Sequence, residues 1–204
     1  MNQTAPSREE RKAETRHKLI RSAQKLFMEK GYEATTLEGV ANGAGLHVQT
    51  LYRHFSSKIE LAAAGDQEQL DDFKSAIRDK PTNVSTFQFW KEYVSRAAKL
   101  VTSKDDGSRY RELLHQELQS PCITKQLAQI ARAYRELIML SLEAELMIED
   151  PTDRKEAARI LAITMWGAHE DLMIRYEQDA EFDLHTEVLA TMSRVENFCK
   201  PLFK

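Results

Sequence analysis

Residues 36–61, TLEGVANGAGLHVQTLYRHFSSKIEL, constrain this chain more than any other stretch. Leu37, Val40, Ala41 and Ala44 recur at the spacing of one helical face. Gly45 stands where that helix must stop, and a residue without a Cβ can take the left-handed backbone that ends a helix. In the next stretch Val48, Leu51 and Phe55 share one face, while Gln49, Thr50 and Arg53 fall on the opposite one. Two short helices joined by a glycine turn form a helix-turn-helix, whose second helix can lie in a DNA major groove.

Short polar side chains near the start of that second helix can reach base edges, and His47, Gln49, Thr50 and Arg53 are of that kind. Gln pairs bidentately with adenine and Arg with guanine, and the Thr methyl can touch a thymine methyl. Val48 admits two placements, inward packing or contact with a thymine. Thr36 can offer its hydroxyl and the start of the preceding helix to a phosphate. Gly39 and Gly43 fall inside that preceding helix, where each would cost about 1 kcal/mol relative to Ala.

The run Ala44-Gly45-Leu46, then Thr50-Leu51-Tyr52-Arg53-His54-Phe55, then Lys58 and Leu61, resembles the DNA-binding signature of the TetR family of transcriptional regulators. Phe27, Gly31, Tyr32, Thr35 and Thr36 fit the same pattern. The resemblance covers roughly the first third of the chain. It implies that Tyr52, His54 and Lys58 contact phosphates, which position a protein on the duplex without carrying sequence information. His47 replaces the small capping residue frequent in the family, and Gln49 replaces a frequent Gly. The resemblance further implies a C-terminal half that binds a small molecule.

Composition agrees with an all-helical chain. Among 204 residues there are only 7 Gly and 5 Pro, with 42% hydrophobic and 30% charged. No stretch approaches the ~20 apolar residues of a membrane span, and the first residues lack the apolar core of a secretory signal. A cytoplasmic location is therefore expected. Cys122 and Cys199 are far apart in sequence, which fits two reduced thiols, with a redox pair as the alternative. The net charge of −3 divides unevenly. Residues 1–65 hold ten Lys/Arg against seven Asp/Glu, and the remainder holds 19 against 25. A basic N-terminal third on an acidic body is the asymmetry a DNA-reading module needs.

Three parts are expected: a disordered tail over 1–12, a helix-turn-helix domain over 13–57, and a helical ligand-binding and dimerisation domain over 58–204. The first helix should run over 13–30, with Thr35 or Thr36 capping the second and the third spanning 47–55. Ser56-Ser57 caps a long helix over 58–77 that links the two domains. Further helices are expected over 85–102, 108–118, from Pro121 to near Met147, 151–178 and 184–200. Lys104-Asp105-Asp106-Gly107 reads as a turn, and Ser120-Pro121 and Asp150-Pro151 read as caps followed by a proline in the first helical turn.

The last two helices carry a wide apolar stripe that includes Leu161, Ala168, Leu172, Leu184, Val188, Met192 and Val195. Such width fits either internal core on both sides or core on one side and a partner subunit on the other. Paired half-sites on DNA favour the second, hence a homodimer with these residues at its interface. Phe87, Trp90, Tyr93, Tyr134, Met165, Trp166, His169 and Met173 are candidates to line a pocket for a small, mostly apolar inducer of unknown identity; the alternative is that they only fill the core.

No metal-binding, phosphate-loop or nucleophile-elbow motif occurs, so neither an enzyme nor a metal or cofactor is expected. The partners expected are double-stranded DNA, a second copy of the chain and the inducer, and the function a repressor released from a palindromic operator. A helical binding or adaptor protein controlled by a protein partner is the alternative.

Overall fold

The computed structural model describes residues 7–103, 107–119 and 121–200. Their regular structure is entirely helical: α1 (Arg8–Lys30), α2 (Leu37–Gly43), α3 (Val48–Tyr52), α4 (Lys58–Arg78), α5 (Thr86–Thr102), α6 (Ser108–Gln119), α7 (Pro121–Glu143), α8 (Pro151–Gln178) and α9 (Leu184–Cys199). The all-α architecture, with an N-terminal helix-turn-helix domain and a C-terminal helical domain, agrees with the sequence reading. No helix among the described residues is long and apolar enough to cross a membrane.

Helix α1 begins five residues earlier than expected, so residues 8–12 of the expected tail are helical. The cause is a capping box. Ser7 Oγ accepts the Glu10 N–H at 3.2 Å, and Glu10 Oε2 accepts the Ser7 N–H at 2.6 Å. Of the two candidate caps for α2, Thr36 does the capping, its Oγ1 accepting the Gly39 N–H at 3.0 Å. Thr35 instead donates to the carbonyls of Gly31 and Leu26. Helix α3 ends at Tyr52, shorter than expected, because Arg53 and His54 close with tight bonds to Thr50 O and Leu51 O. Helix α7 ends at Glu143, ahead of the expected end near Met147. Asp150 caps α8 through the N–H groups of Thr152 and Asp153. The expected turn residues Lys104, Asp105 and Asp106 and the expected cap Ser120 lie outside the described residues.

The chain divides into two compact units, Met1–Gln69 and Leu70–Lys204. The division falls inside α4, C-terminal to the expected boundary at 57/58. The first turns of α4 belong with α1: Leu61 and Ala64 are buried, and His17 Nδ1 lies 3.0 Å from Glu68 Oε2. In the N-terminal unit Leu19, Ile20, Ala23, Val40, Ala41, Leu51, Phe55 and Leu61 form the buried centre. Gly43 has a packing reason: a Cβ there would sit 2.5 Å from Ser22 Oγ, whose hydroxyl donates to Val40 O at 2.8 Å.

In the C-terminal unit α8 packs along α7 and α9, and α5 along α9. One apolar core joins α4 to α9 through Phe73, Trp90, Ile138, Leu142, Met165, Leu172 and Val188. At one end Glu145 of the α7–α8 connection accepts the Thr86 N–H and hydroxyl and pairs with Lys80 at 2.7 Å. These partly buried bonds hold the start of α5 against the end of α7.

The stripe on α8 and α9 requires a correction. Leu161, Leu172, Leu184, Val188 and Met192, expected at a partner subunit, are 0–3% exposed in the subunit's own core. Ala168 and Val195 pack half-buried against the same core. A side chain already covered has no surface left to give a partner. The exposed apolar residues of α8 are Ile160, Ile163 and Ile174, at 56, 51 and 44% exposure. With Gly167 they recur at one-face spacing, on the side of α8 away from its core residues.

Candidate nucleic-acid interface

The reading head is built around the turn between α2 and α3. Gly45 takes φ +69°, and Leu46 N–H reaches Ala41 O at 2.9 Å while Gly45 N–H reaches Asn42 O at 3.0 Å. Those paired bonds are a Schellman motif, and they satisfy the end of α2 as they redirect the chain. Leu51 and Phe55 are buried, which leaves the other side of α3 outside. His47, Gln49, Tyr52 and Arg53 are exposed there, and Val48 and Thr50 are half-buried. Tyr52 is 52% exposed, an unusual position for a large ring that has nothing to contact. His47 makes no side-chain cap bond, so its imidazole is not spent on the helix start.

Lys58 is placed differently from the phosphate contact that the resemblance implies. Its Nζ donates to the carbonyls of Tyr32, Glu33 and Thr35 at 2.7, 3.1 and 3.1 Å, and lies 4.4 Å from the Tyr32 ring centroid. An ammonium has three donors, and all three are taken. Lys58 ties the start of α4 to the α1–α2 turn. Thr36 likewise commits its oxygen to α2.

His54 is half-buried. Burial first, then the positive charges of Lys12 and Arg16, lower its pKa from the ordinary histidine value. Without DNA this favours the uncharged imidazole, which can offer an N–H to a phosphate. Arg16 supports the reading head from α1, although the sequence pattern does not single it out. Its guanidinium lies 4.3 Å from the Phe55 ring centroid and donates to His54 O at 3.4 Å, bracing the exit of α3 from α1. The only hint in the sequence is its position on the α1 face next to the buried Leu19 and Ile20.

The C-terminal unit holds the second candidate site. Phe87, Trp90, Tyr134 and Met165 are buried, and Tyr93, Trp166, His169 and Met173 are half-buried. Trp90, Trp166 and His169 form a triangle with ring centroids 5.7–5.8 Å apart. Tyr134 joins through Trp166 at 5.3 Å and Tyr93 through Trp90 at 6.1 Å. Phe87, Met165 and Met173 belong to the same core without a place in the triangle. Phe89, which is not among the sequence candidates, and Phe73 complete the cluster. Phe73 is fully buried and touches Phe89, Trp90, Tyr93 and Tyr134. Burial pushes His169 down to about 4, so it is neutral at pH 7. Cys199 is a buried free thiol whose pKa burial raises, which opposes thiolate chemistry. The Cys122 side chain lies outside what the structure describes.

A helix-turn-helix with buried Leu51 and Phe55 and outward Gln49, Tyr52 and Arg53 defines the class of DNA-reading helical proteins. Residues 19–64 match the family described as bacterial regulatory proteins, tetR family. Over these residues the chain carries a DNA-binding domain of the tetR-family kind. It is 38% identical over 74 residues to the HTH-type transcriptional regulator TcmR of Streptomyces glaucescens, covering 36% of this chain and 33% of that protein. The chain thus spans about a third of that relative's length. Its fold is similar to that of FadR from Bacillus subtilis, solved in complex with stearoyl-CoA (TM-score 0.64, 16% identity, 88% of this chain and 96% of that one). It is also similar to SmeT, the repressor of the Stenotrophomonas maltophilia efflux pump SmeDEF (TM-score 0.61, 22% identity, 90% of this chain and 89% of that one), which is solved with triclosan as well.

Proposed function

We propose that this chain is a homodimeric transcriptional repressor that leaves a palindromic operator when a small, mostly apolar inducer enters its body. The observation that carries the DNA half of this reading is the outward set Gln49, Tyr52 and Arg53 above buried Leu51 and Phe55. Gln49 and Arg53, with His47, Val48 and Thr50, are read as base contacts. Tyr52, His54 and Thr36 are read as backbone contacts, and Lys58 supports the head from behind. TcmR is named as an HTH-type transcriptional regulator, which supports the DNA-binding part of the assignment.

The dimer half rests on the exposed Ile160, Ile163, Gly167 and Ile174 face of α8, in place of the core residues expected there from the sequence. The inducer half rests on the aromatic cluster, and on FadR and SmeT having been solved with stearoyl-CoA and triclosan. Helix α4 contributes residues to both units and is the covalent route between them. A ligand shifts the equilibrium only by its differential affinity for the DNA-incompetent state.

The test is sizing of the purified protein, alone and on operator DNA selected from a random pool. A particle of twice 23.5 kDa bound to half-sites one helical turn apart, ~34–36 Å or a multiple, is expected. A particle monomeric both free and on DNA overturns the dimer, and failure to enrich any sequence overturns the regulator. Enrichment of a protein partner that alone changes operator affinity would favour the adaptor reading.

A further inference from the structure

Three nitrogen atoms of the body are buried without a hydrogen-bond partner among the described residues: Trp90 Nε1, Trp166 Nε1 and His169 Nδ1. All three belong to the triangle of rings whose centroids lie 5.7–5.8 Å apart. Each such group costs about 1–3 kcal/mol when left unsatisfied. A core built only for stability would place Phe or Leu at these positions and avoid the cost. Three orphaned nitrogens on mutually touching rings mark a place built to be hydrogen-bonded by something other than the chain itself.

We propose that this triad is the specificity element of the inducer site, selecting an uncharged, flat aromatic molecule that presents a carbonyl or equivalent hydrogen-bond acceptor. The inference deepens the inducer reading above and rests on it. The acceptor follows from the donors: an indole N–H donates and never accepts, and a carbonyl oxygen has two lone pairs, enough for both tryptophans. A hydroxyl beside that carbonyl would satisfy His169 Nδ1 as well.

The flat aromatic shape follows from the ring faces. Tyr93 lies against Trp90 at 14° and Tyr134 against Trp166 at 32°, so the triad sits in an aromatic setting, in which an aromatic ligand packs by offset and edge contacts. Neutrality follows from the surroundings. Among the described residues the rings of Phe73, Tyr93 and Tyr134 contact the triad, and His169 is held neutral by burial. An anion or cation there would have to lose its hydration among aromatic rings, a cost that an uncharged molecule avoids. A quaternary ammonium would find attractive ring faces but would leave every indole donor unmet.

The test uses the full-length protein and four three-ring probes followed by quenching of its two tryptophans: anthraquinone, anthracene, anthraquinone-2-sulfonate and N-methylacridinium. Anthraquinone should bind at least about tenfold tighter than anthracene, the gain of one to two hydrogen bonds. The sulfonate and the acridinium should bind more weakly than anthraquinone. Trp90→Phe and Trp166→Phe keep a ring, delete the donor and leave one tryptophan as reporter. Each should lose about 5–10-fold for anthraquinone and far less for anthracene.

Equal affinity for anthraquinone and anthracene, a preference for the acridinium, or no binding of any probe with the indole N–H groups meeting only water overturns the proposal. Operator release is measured separately by gel shift. Acceptor-selective binding without release sinks the inducer reading and leaves the selectivity standing. Release by anthracene as readily as by anthraquinone does the reverse.

Discussion

The two units treat their polar groups in opposite ways. In the N-terminal unit the polar groups behind the reading surface are spent on the fold: Lys58 on three carbonyls, Ser22 on Val40 O, Thr35 on Gly31 O and Thr36 on Gly39 N–H. What stays free faces outward on α3. In the C-terminal unit the free groups face inward, as Trp90, Trp166 and His169 nitrogens inside an aromatic cluster. A DNA reader must hold a rigid surface to a partner that approaches from solvent. A small-molecule site must keep unsatisfied chemistry away from water until its ligand arrives. The direction in which unspent polar groups point is thus what separates the two units under the roles proposed for them.

The largest effect should come from the hub of the inward cluster. Phe73→Ala removes a fully buried ring that touches four other aromatic rings, and should cost about 3–5 kcal/mol in denaturant unfolding. A loss below about 1 kcal/mol would mean that the cluster is loosely packed, and the contrast between the units would weaken.

A second test uses acid. The folded pKa of His169 is lowered to about 4, so between there and the unfolded value near 6.5 the unfolded chain binds the extra proton. Stability from this group is present above the unfolded value and is lost as pH falls. Going from pH 7 to 4.5 should cost the native protein roughly 2–3 kcal/mol more than His169→Phe, each compared with its own value at pH 7. Parallel pH profiles would show that His169 is solvated.

Lys58→Met sharpens the other side of the comparison. It keeps most of the stem and deletes a donor to three carbonyls, and should lower thermal stability by about 2 kcal/mol. Because the amine is spent internally, the salt dependence of operator binding should keep its slope. A slope smaller by about 1 would return Lys58 to the phosphate backbone.

The most local effect is expected at the outward surface. Gln49→Ala should change the preferred base at one operator position by about 1–3 kcal/mol and leave thermal stability unaltered. An unchanged operator profile would remove Gln49 from the readers.

Much of the fold is legible in the order of residues alone. Gly45 announces the turn, Asp150-Pro151 the start of α8 and Ser57 the start of α4, because caps and turns are short-range events written in adjacent residues. The Ser7–Glu10 capping box is of the same kind and is equally visible, yet the charged, polar composition around it reads as a tail. The outward side of α3 is legible too, since Leu51 and Phe55 reveal the inward side by spacing alone.

The sequence by itself determined the helical class, the helix-turn-helix, the split of charge between the first third and the rest, and which side of α3 is packed inward. Tertiary structure alone decided which face of α8 is covered, where the three donors of Lys58 go, and which aromatic nitrogens are left without partners. The reason is physical. Helical periodicity reports the width of an apolar stripe but not what lies over it, so Leu161 and Ile160, adjacent in the chain, divide between core and surface only once α7 and α9 are in place. A long side chain such as Lys58 likewise shows its charge in the sequence, while its partners come from a turn more than twenty residues away and are brought within reach only when α1, α2 and α4 pack.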